Sequence, residues 1–222
     1  MLNACLLFGV NRHFEEESEA CNYNITTRGR VRFVNTALLL IDIQNDYFPA
    51  GRMEVEGSVA ASLCANRLLS FFRQQRLPLV HIQHTNIRPG ATFLLPGTEG
   101  AGIHENVRPF SYELVVQKNY PNSFRDTPLL EHLRGQGISQ VVICGMMTHM
   151  CVEASTRAAF DYGLRCTVVS DACATIALTF GDKIIPADHV QGAFLAALRT
   201  VYAKVVSAED FISNYRQIEI QQ

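Results

Sequence analysis

No apolar run in this chain approaches the roughly 20 residues that a membrane-spanning helix needs, although 48% of its 222 residues are hydrophobic. Charge of one sign is also missing. Nineteen Lys and Arg stand against 21 Asp and Glu, mixed along the chain, for a formal net charge of −2. That balance argues against nucleic acid or a membrane surface as the main partner and leaves a small molecule. There is no Gly-x-Gly-x-x-Gly and no Walker-type loop, so the usual nucleotide folds lack their phosphate cradle. The seven cysteines are odd in number and match no zinc spacing. The apolar stretch Ala4–Phe8 has no basic residues before it and no small-residue cleavage site, so it does not read as a secretion signal. A cytoplasmic chain with mostly reduced thiols is expected. No internal repeat is evident.

What is present is regular from Thr36 onward. Residues 1–35 carry the acidic run Glu15–Glu17 and a basic, polar stretch from Thr26 to Arg32, and read as an N-terminal arm. Ala37–Ile41 is a continuous apolar run, as expected of a parallel strand buried on both faces. A helix follows from about Ser58 to Gln75, with Val59, Leu63, Asn66, Leu69 and Phe72 at helical spacing. Further strands are expected at 79–82, 114–116, 141–144, 167–169 and 204–206. Further helices are expected at 127–134, 151–162 and 187–201. A long loop rich in glycine and proline separates the second strand from the third. Strands alternating with helices predict a three-layer α/β/α domain over residues 36–215, around a mostly parallel, six-stranded sheet, with 216–222 as a tail.

Residues at the carboxyl ends of adjacent parallel strands converge on one crevice. Asp42 ends the first strand, Lys118 follows the third, and Cys151 starts the helix after the fourth. Taken singly, Asp42 is a turn residue, Lys118 a solvated lysine and Cys151 a small buried hydrophobe. Together, an acid, an ammonium and a thiol make a covalent-catalysis set. The helix start at Cys151 is expected to favour thiolate. Gln44, Asn45 and Asp46 read as structural hydrogen-bonding or turn residues, Thr148 as a helix cap, and His189 as a satisfied packing histidine. Cys144 and Cys166 read as core.

Three segments, Ile41–Phe48, Lys118 and Gly145–Val152, resemble the signature segments of the isochorismatase-like cysteine hydrolases. That superfamily includes nicotinamidases, N-carbamoylsarcosine amidohydrolases and isochorismatases. The resemblance runs from about Thr36 to Phe211 and implies a Rossmann-like fold. It implies Asp42 as general base, Lys118 as catalytic lysine and Cys151 as nucleophile. It also implies a cis peptide between Met146 and Met147, with the Met147 and Cys151 amides forming an oxyanion hole, and a homo-oligomer, dimer or tetramer. The Asp-x-His motif of nicotinamidases is missing: Pro49–Glu54 holds no histidine, and His81–Asn86 lacks Asp-Trp-His. No metal and no cofactor are therefore expected. The loop segments around Phe93 and Tyr120–Leu129 look most like the streptothricin-hydrolase branch. Phe48, His84, Phe93, Tyr120 and Phe124 are the candidate substrate-binding residues. The activity expected is hydrolysis of a C–N bond in a small amide, lactam or ureido compound. The alternatives are vinyl-ether hydrolysis and an idle binding or oligomerisation module.

Overall fold

The structure is a computed structural model that describes residues 35–220, with side chains described to Tyr215. Residues 1–34 of the arm expected at 1–35, with Cys5 and Cys21, lie outside the described residues, as do residues 221–222. Strand β1 (Thr36–Ile41) is buried along its whole length, which explains its uninterrupted apolar sequence. Helix α1 (Ser58–Gln75) turns Ala61, Ala65, Leu68, Leu69 and Phe72 inward at three- and four-residue steps. It ends at Arg76, which takes the left-handed conformation, with the Leu77 N–H closing back on the Phe72 carbonyl at 2.9 Å. Then come β2 (Leu79–His84), β3 (Leu114–Lys118), α2 (Leu129–Gly135) and β4 (Gln140–Met146). A short π-helical turn (Thr148–Val152) leads into α3 (Glu153–Asp161). The chain continues through β5 (Arg165–Ala174), β6 (Leu178–Phe180), β7 (Lys183–Ile185), α4 (Ala187–Val201), β8 (Ala203–Val206) and α5 (Ala208–Ile220).

The main sheet has six strands in the order β3-β2-β1-β4-β5-β8, and every pairing is parallel. Helices α1 and α5 share one face, joined by Phe71 against Tyr215 and Phe72 stacked on Phe211. Helices α3 and α4 cover the other face. The chain builds outward from β1 to β3, then returns to lay β4 on the free side of β1. The switch point of the fold is therefore the β1–β4 boundary, where a doubly wound sheet opens its ligand crevice. At that boundary Gly145 pairs with Ile41 and has φ 129°. A Cβ there would lie 1.9 Å from the Ile41 carbonyl oxygen.

Three features differ from the expectation. Strand β5 runs to Ala174, because its register against β4 shifts between Ile143 and Gly145 and lets it continue past the irregularity. An antiparallel hairpin, β6–β7, stands apart from the main sheet and carries the exposed Phe180 and Ile184. Helix α5 crosses the boundary expected at 215. Cys144 and Cys166 are buried, as expected, and the five described cysteines are free thiols. No described helix is long and apolar enough to cross a membrane.

Glu113 anchors the start of β3. Burial alone would raise its pKa. Two hydrogen bonds from Arg73, one from the Phe110 N–H and one with His81 outweigh burial and hold it at about 2. His81 is thus a structural partner of Glu113 rather than a pocket residue.

Two predictions follow from this framework. Gly145→Ala should destabilise the protein by about 3 kcal/mol or more, because backbone and not side chain must give way; urea denaturation measures it. Because the folded-state pKa of Glu113 lies below its ordinary 4.5, its contribution is present above that value and lost as pH falls toward about 2. The difference in urea midpoint between wild type and Glu113→Gln should therefore shrink as pH is lowered through that window.

Candidate active site

Three strand ends supply the crevice. β1 passes into Asp42, whose φ of 50° places it in the left-handed region that aspartate tolerates. β3 ends in Lys118, two strands away from β1, and its side chain crosses the end of β2 to reach the carboxylate. Lys118 Nζ lies 2.7 Å from Asp42 Oδ2, and both side chains are fully buried. The ammonium also meets the Tyr120 carbonyl at 3.1 Å, the Pro121 carbonyl at 3.2 Å and His84 Nδ1 at 3.2 Å. Burial pulls its pKa down, but Asp42 and Cys151 outweigh burial and leave it above the ordinary lysine value.

Cys151 sits in the π-helical turn and is 5% exposed. A ring nitrogen of His84, a carboxylate oxygen of Asp42 and the Cys151 sulfur all lie within 4.8 Å of one another. The thiolate expected from the helix start is overridden. Burial pushes the Cys151 thiol well up, Asp42 pushes it further, and Lys118 only partly offsets them. Burial and Asp42 thus oppose the thiolate form of Cys151, and Lys118 favours it. Asp42, His84 and Cys151 could in principle ligate a metal, but the Lys118 ammonium already supplies the positive charge at Asp42 and touches His84. The set suits a resident lysine better than a divalent ion.

The Met146–Met147 peptide is cis. Outside the turn itself, neither the Met147 nor the Cys151 N–H donates to a backbone carbonyl among the described residues. Thr148 does not cap the helix. Its hydroxyl donates to the Ala174 carbonyl at 3.2 Å, tying the turn to β5. His189 is exposed on α4 and is no packing histidine.

The residues after Asp42 hold the long loop in place. Gln44 Nε2 donates to the His84 and Ala101 carbonyls at 2.9 and 2.7 Å, and its Oε1 accepts the His84 N–H at 2.8 Å. Asn45 Nδ2 donates to the Glu99 carbonyl at 2.8 Å. Asp46 accepts the Leu94 N–H at 2.6 Å, and a Cβ on Gly100 would meet its carboxylate at 2.1 Å.

The five candidate substrate residues divide. His84 is in the cluster. Phe93 packs beside Tyr47, with ring centroids 6.1 Å apart. Tyr120 contributes its carbonyl to Lys118, while its ring lies under the Arg125 guanidinium. Phe48 stacks on His104 at 3.5 Å and is buried there. Phe124 packs against Tyr162, at the far end of α3 from Cys151. Tyr47, which the sequence did not single out, is within electrostatic reach of the cluster. Burial, then Cys151, Asp42 and Asp46, raise its phenol pKa well above the ordinary value. A 3₁₀ turn spans Asn45–Tyr47 just before Phe48, and both Tyr47 and Phe48 are buried.

A doubly wound parallel sheet with aspartate, lysine and cysteine gathered at its switch point defines a class of small α/β hydrolase domains. The chain belongs to the isochorismatase family: residues 36–210 match the model of the isochorismatase domain. It is 49% identical over 179 residues to the uncharacterized isochorismatase family protein YddQ of Bacillus subtilis, covering 81% of this chain and 99% of that one. It is 36% identical over 139 residues to a streptothricin hydrolase of Streptomyces noursei, covering 63% and 54%. With maleamate amidohydrolase of Pseudomonas putida it shares 28% identity over 222 residues, 92% of this chain and 98% of that one. Among solved structures, a candidate isochorismatase hydrolase from Oleispira antarctica superposes with a TM-score of 0.79 at 46% identity, over 83% of this chain and all of that one.

The buried ion pair yields a stability test. Lys118→Met leaves Asp42 buried and uncompensated, and should cost about 3–5 kcal/mol. Adding Asp42→Asn should recover a large part of that loss, as read by a double-mutant cycle in urea.

Proposed function

We propose that this hydrolase is a cysteine-dependent amidohydrolase that cleaves the C–N bond of a small amide, lactam or ureido compound through a thioester. The observation that carries the reading is the fully buried Lys118–Asp42 pair at 2.7 Å with the Cys151 sulfur within 4.8 Å of the same carboxylate group. A thiol whose pKa is pushed up needs a base in place when it attacks. Asp42 takes the Cys151 proton as sulfur bonds to the carbonyl carbon. The oxyanion forms against the Met147 and Cys151 amides. Collapse breaks the C–N bond, and protonated Asp42 passes its proton to the leaving amine. Asp42 then takes a proton from water, the hydroxide attacks the thioester, the C–S bond breaks, and the thiol is restored. Lys118 holds Asp42 in place and balances its charge throughout. Tyr47, His84 and Phe93 border the substrate, with Tyr120 shaping the wall beside Lys118.

The named amidohydrolases among the relatives support C–N cleavage. Five free thiols suit a reducing, cytoplasmic setting. Phe180 and Ile184, exposed by 81% and 74% on an isolated hairpin, suit a chain that associates with itself as a dimer or tetramer.

The test is ammonia or amine release from a panel of small amides, lactams and ureido compounds. Turnover should fall by at least about 10³-fold in Cys151→Ala and should be indifferent to added chelator. Turnover that survives Cys151→Ala would overturn the thioester route and make isochorismate the next compound to try.

A further inference from the structure

A buried pair of hydroxyls lies behind the lysine. Ser123 and Ser155 are both 0% exposed, and their Oγ atoms share a hydrogen bond at 2.7 Å. Ser155 Oγ also accepts the Ser123 N–H at 3.0 Å and lies 3.4 Å from the Pro121 carbonyl. That carbonyl is one of the two that the Lys118 ammonium meets, at 3.2 Å. Each hydroxyl has one proton to give. Both protons find an acceptor among the described residues only when Ser123 donates to Ser155 and Ser155 donates to Pro121. Little else fixes this stretch. Residues 119–124 make no backbone–backbone hydrogen bond to another element among the described residues. The Asn119 amide donates to the Thr85 carbonyl at 2.8 Å on one side, and the Thr127 hydroxyl to the Ser123 carbonyl at 2.6 Å on the other.

Ser155 stands in α3, four residues after Cys151. Contacts therefore run in a closed circuit. Asp42 meets Lys118, Lys118 meets the Pro121 carbonyl, and Pro121 meets Ser155. The start of α3 leads back to Cys151, whose sulfur lies within 4.8 Å of an Asp42 carboxylate oxygen. The Asp42, Lys118, Ser155 and Cys151 side chains are all buried. We propose that Ser155 is a positioning residue: it touches no reacting atom, and through the Pro121 carbonyl it sets where the Lys118 ammonium stands relative to Asp42 and Cys151. This assignment takes Cys151 as the nucleophile, as the amidohydrolase reading does, but it does not depend on the substrate. A carbonyl that accepts from a buried hydroxyl keeps its place and direction. The ammonium is then held by a frame that moves with the thiol's own helical segment. Lys118 favours the thiolate form of Cys151, so an ammonium out of place means a slower sulfur.

Two measurements decide it. The chain has only three lysines, and Lys183 and Lys204 are exposed. In lysine-¹⁵Nζ spectra of the full chain, the signal that survives Lys183→Arg with Lys204→Arg is that of Lys118. Exchange of its ammonium hydrogens with water should be slow in wild type and about tenfold faster in Ser155→Ala, the scale of one buried hydrogen bond. Ser155→Thr keeps the hydroxyl and should keep exchange slow. Ser155→Val has the same shape without the hydroxyl and should not. Ser123→Ala should stay close to wild type, because Ser155 still has its own proton for Pro121. Alkylation of Cys151 by iodoacetamide, read site by site with mass spectrometry, should slow about fivefold to tenfold in Ser155→Ala and recover in Ser155→Thr. In the Lys118→Met background, Ser155→Ala should leave that rate where it was, since the group it acts through is gone. Three results would each overturn the proposal: unchanged ammonium exchange in Ser155→Ala, equal effects of Ser123→Ala and Ser155→Ala, or a further loss of alkylation on top of Lys118→Met. Any of them would leave a pair of serines that only packs. Should Ser155→Ala not fold, Ser155→Thr set against Ser155→Val gives the same comparison. If wild type cleaves no amide while the exchange and alkylation results hold, the amidohydrolase reading fails and Ser155 keeps its role.

Discussion

The buried pair of Asp42 and Lys118 is the interaction around which the crevice is arranged. Two charges removed from water are costly, and their attraction offsets that cost only when the remaining hydrogen-bonding capacity is also met. With one N–H directed at Asp42, the lysine's other two are shared among the Tyr120 and Pro121 carbonyls and the His84 ring. The bend after β3 therefore takes its course from the ammonium. The aspartate is different: neither of its oxygens has a well-aligned hydrogen bond, although the ion pair is close. The Cys151 sulfur lies within 4.8 Å of the same carboxylate. A carboxylate pinned by charge but not saturated by donors is well suited to accept a proton.

The short segment that contains Asp42 carries a second task. Gln44, Asn45 and Asp46 each reach into the long loop between β2 and β3, at Ala101, Glu99 and Leu94. Gly100 can approach the Asp46 carboxylate closely because it has no side chain. One stretch of five residues thus fixes both the acid of the crevice and the wall that closes over it. A loop of this length would otherwise be free to sample many conformations. Here its backbone is satisfied by side chains from a rigid strand end.

Much of the fold was legible because its signals are local. Uninterrupted apolar runs announced buried parallel strands, and residues at helical spacing announced α1. The strand ends then placed Asp42, Lys118 and Cys151 together. What escaped depends on geometry that sequence does not encode locally. The irregularity between Ile143 and Gly145 lengthens β5 and frees the β6–β7 hairpin. The 3₁₀ turn at Asn45–Tyr47 and the stacking of Phe48 on His104 have no local signal in the sequence. Phe124 sits beside Ser123, whose N–H bonds to the Ser155 hydroxyl at 3.0 Å near the start of α3, yet its ring turns toward the other end of that helix. The helix-start argument for Cys151 left out burial and the neighbouring Asp42, both of which raise the thiol's pKa.

The order of the strands has a consequence in time. The central strand β1 is made first, and its partner across the switch point, β4, comes roughly a hundred residues later. At about 5–20 residues per second, several seconds separate the emergence of Asp42 from that of Cys151. During that interval a wholly apolar strand stands with one edge bare. The thiol meets its carboxylate only when β4 slides in and Gly145 docks against Ile41. Completion of the sheet and assembly of the crevice are one event, so a nascent or truncated chain is exposed to self-association well before it can do any chemistry.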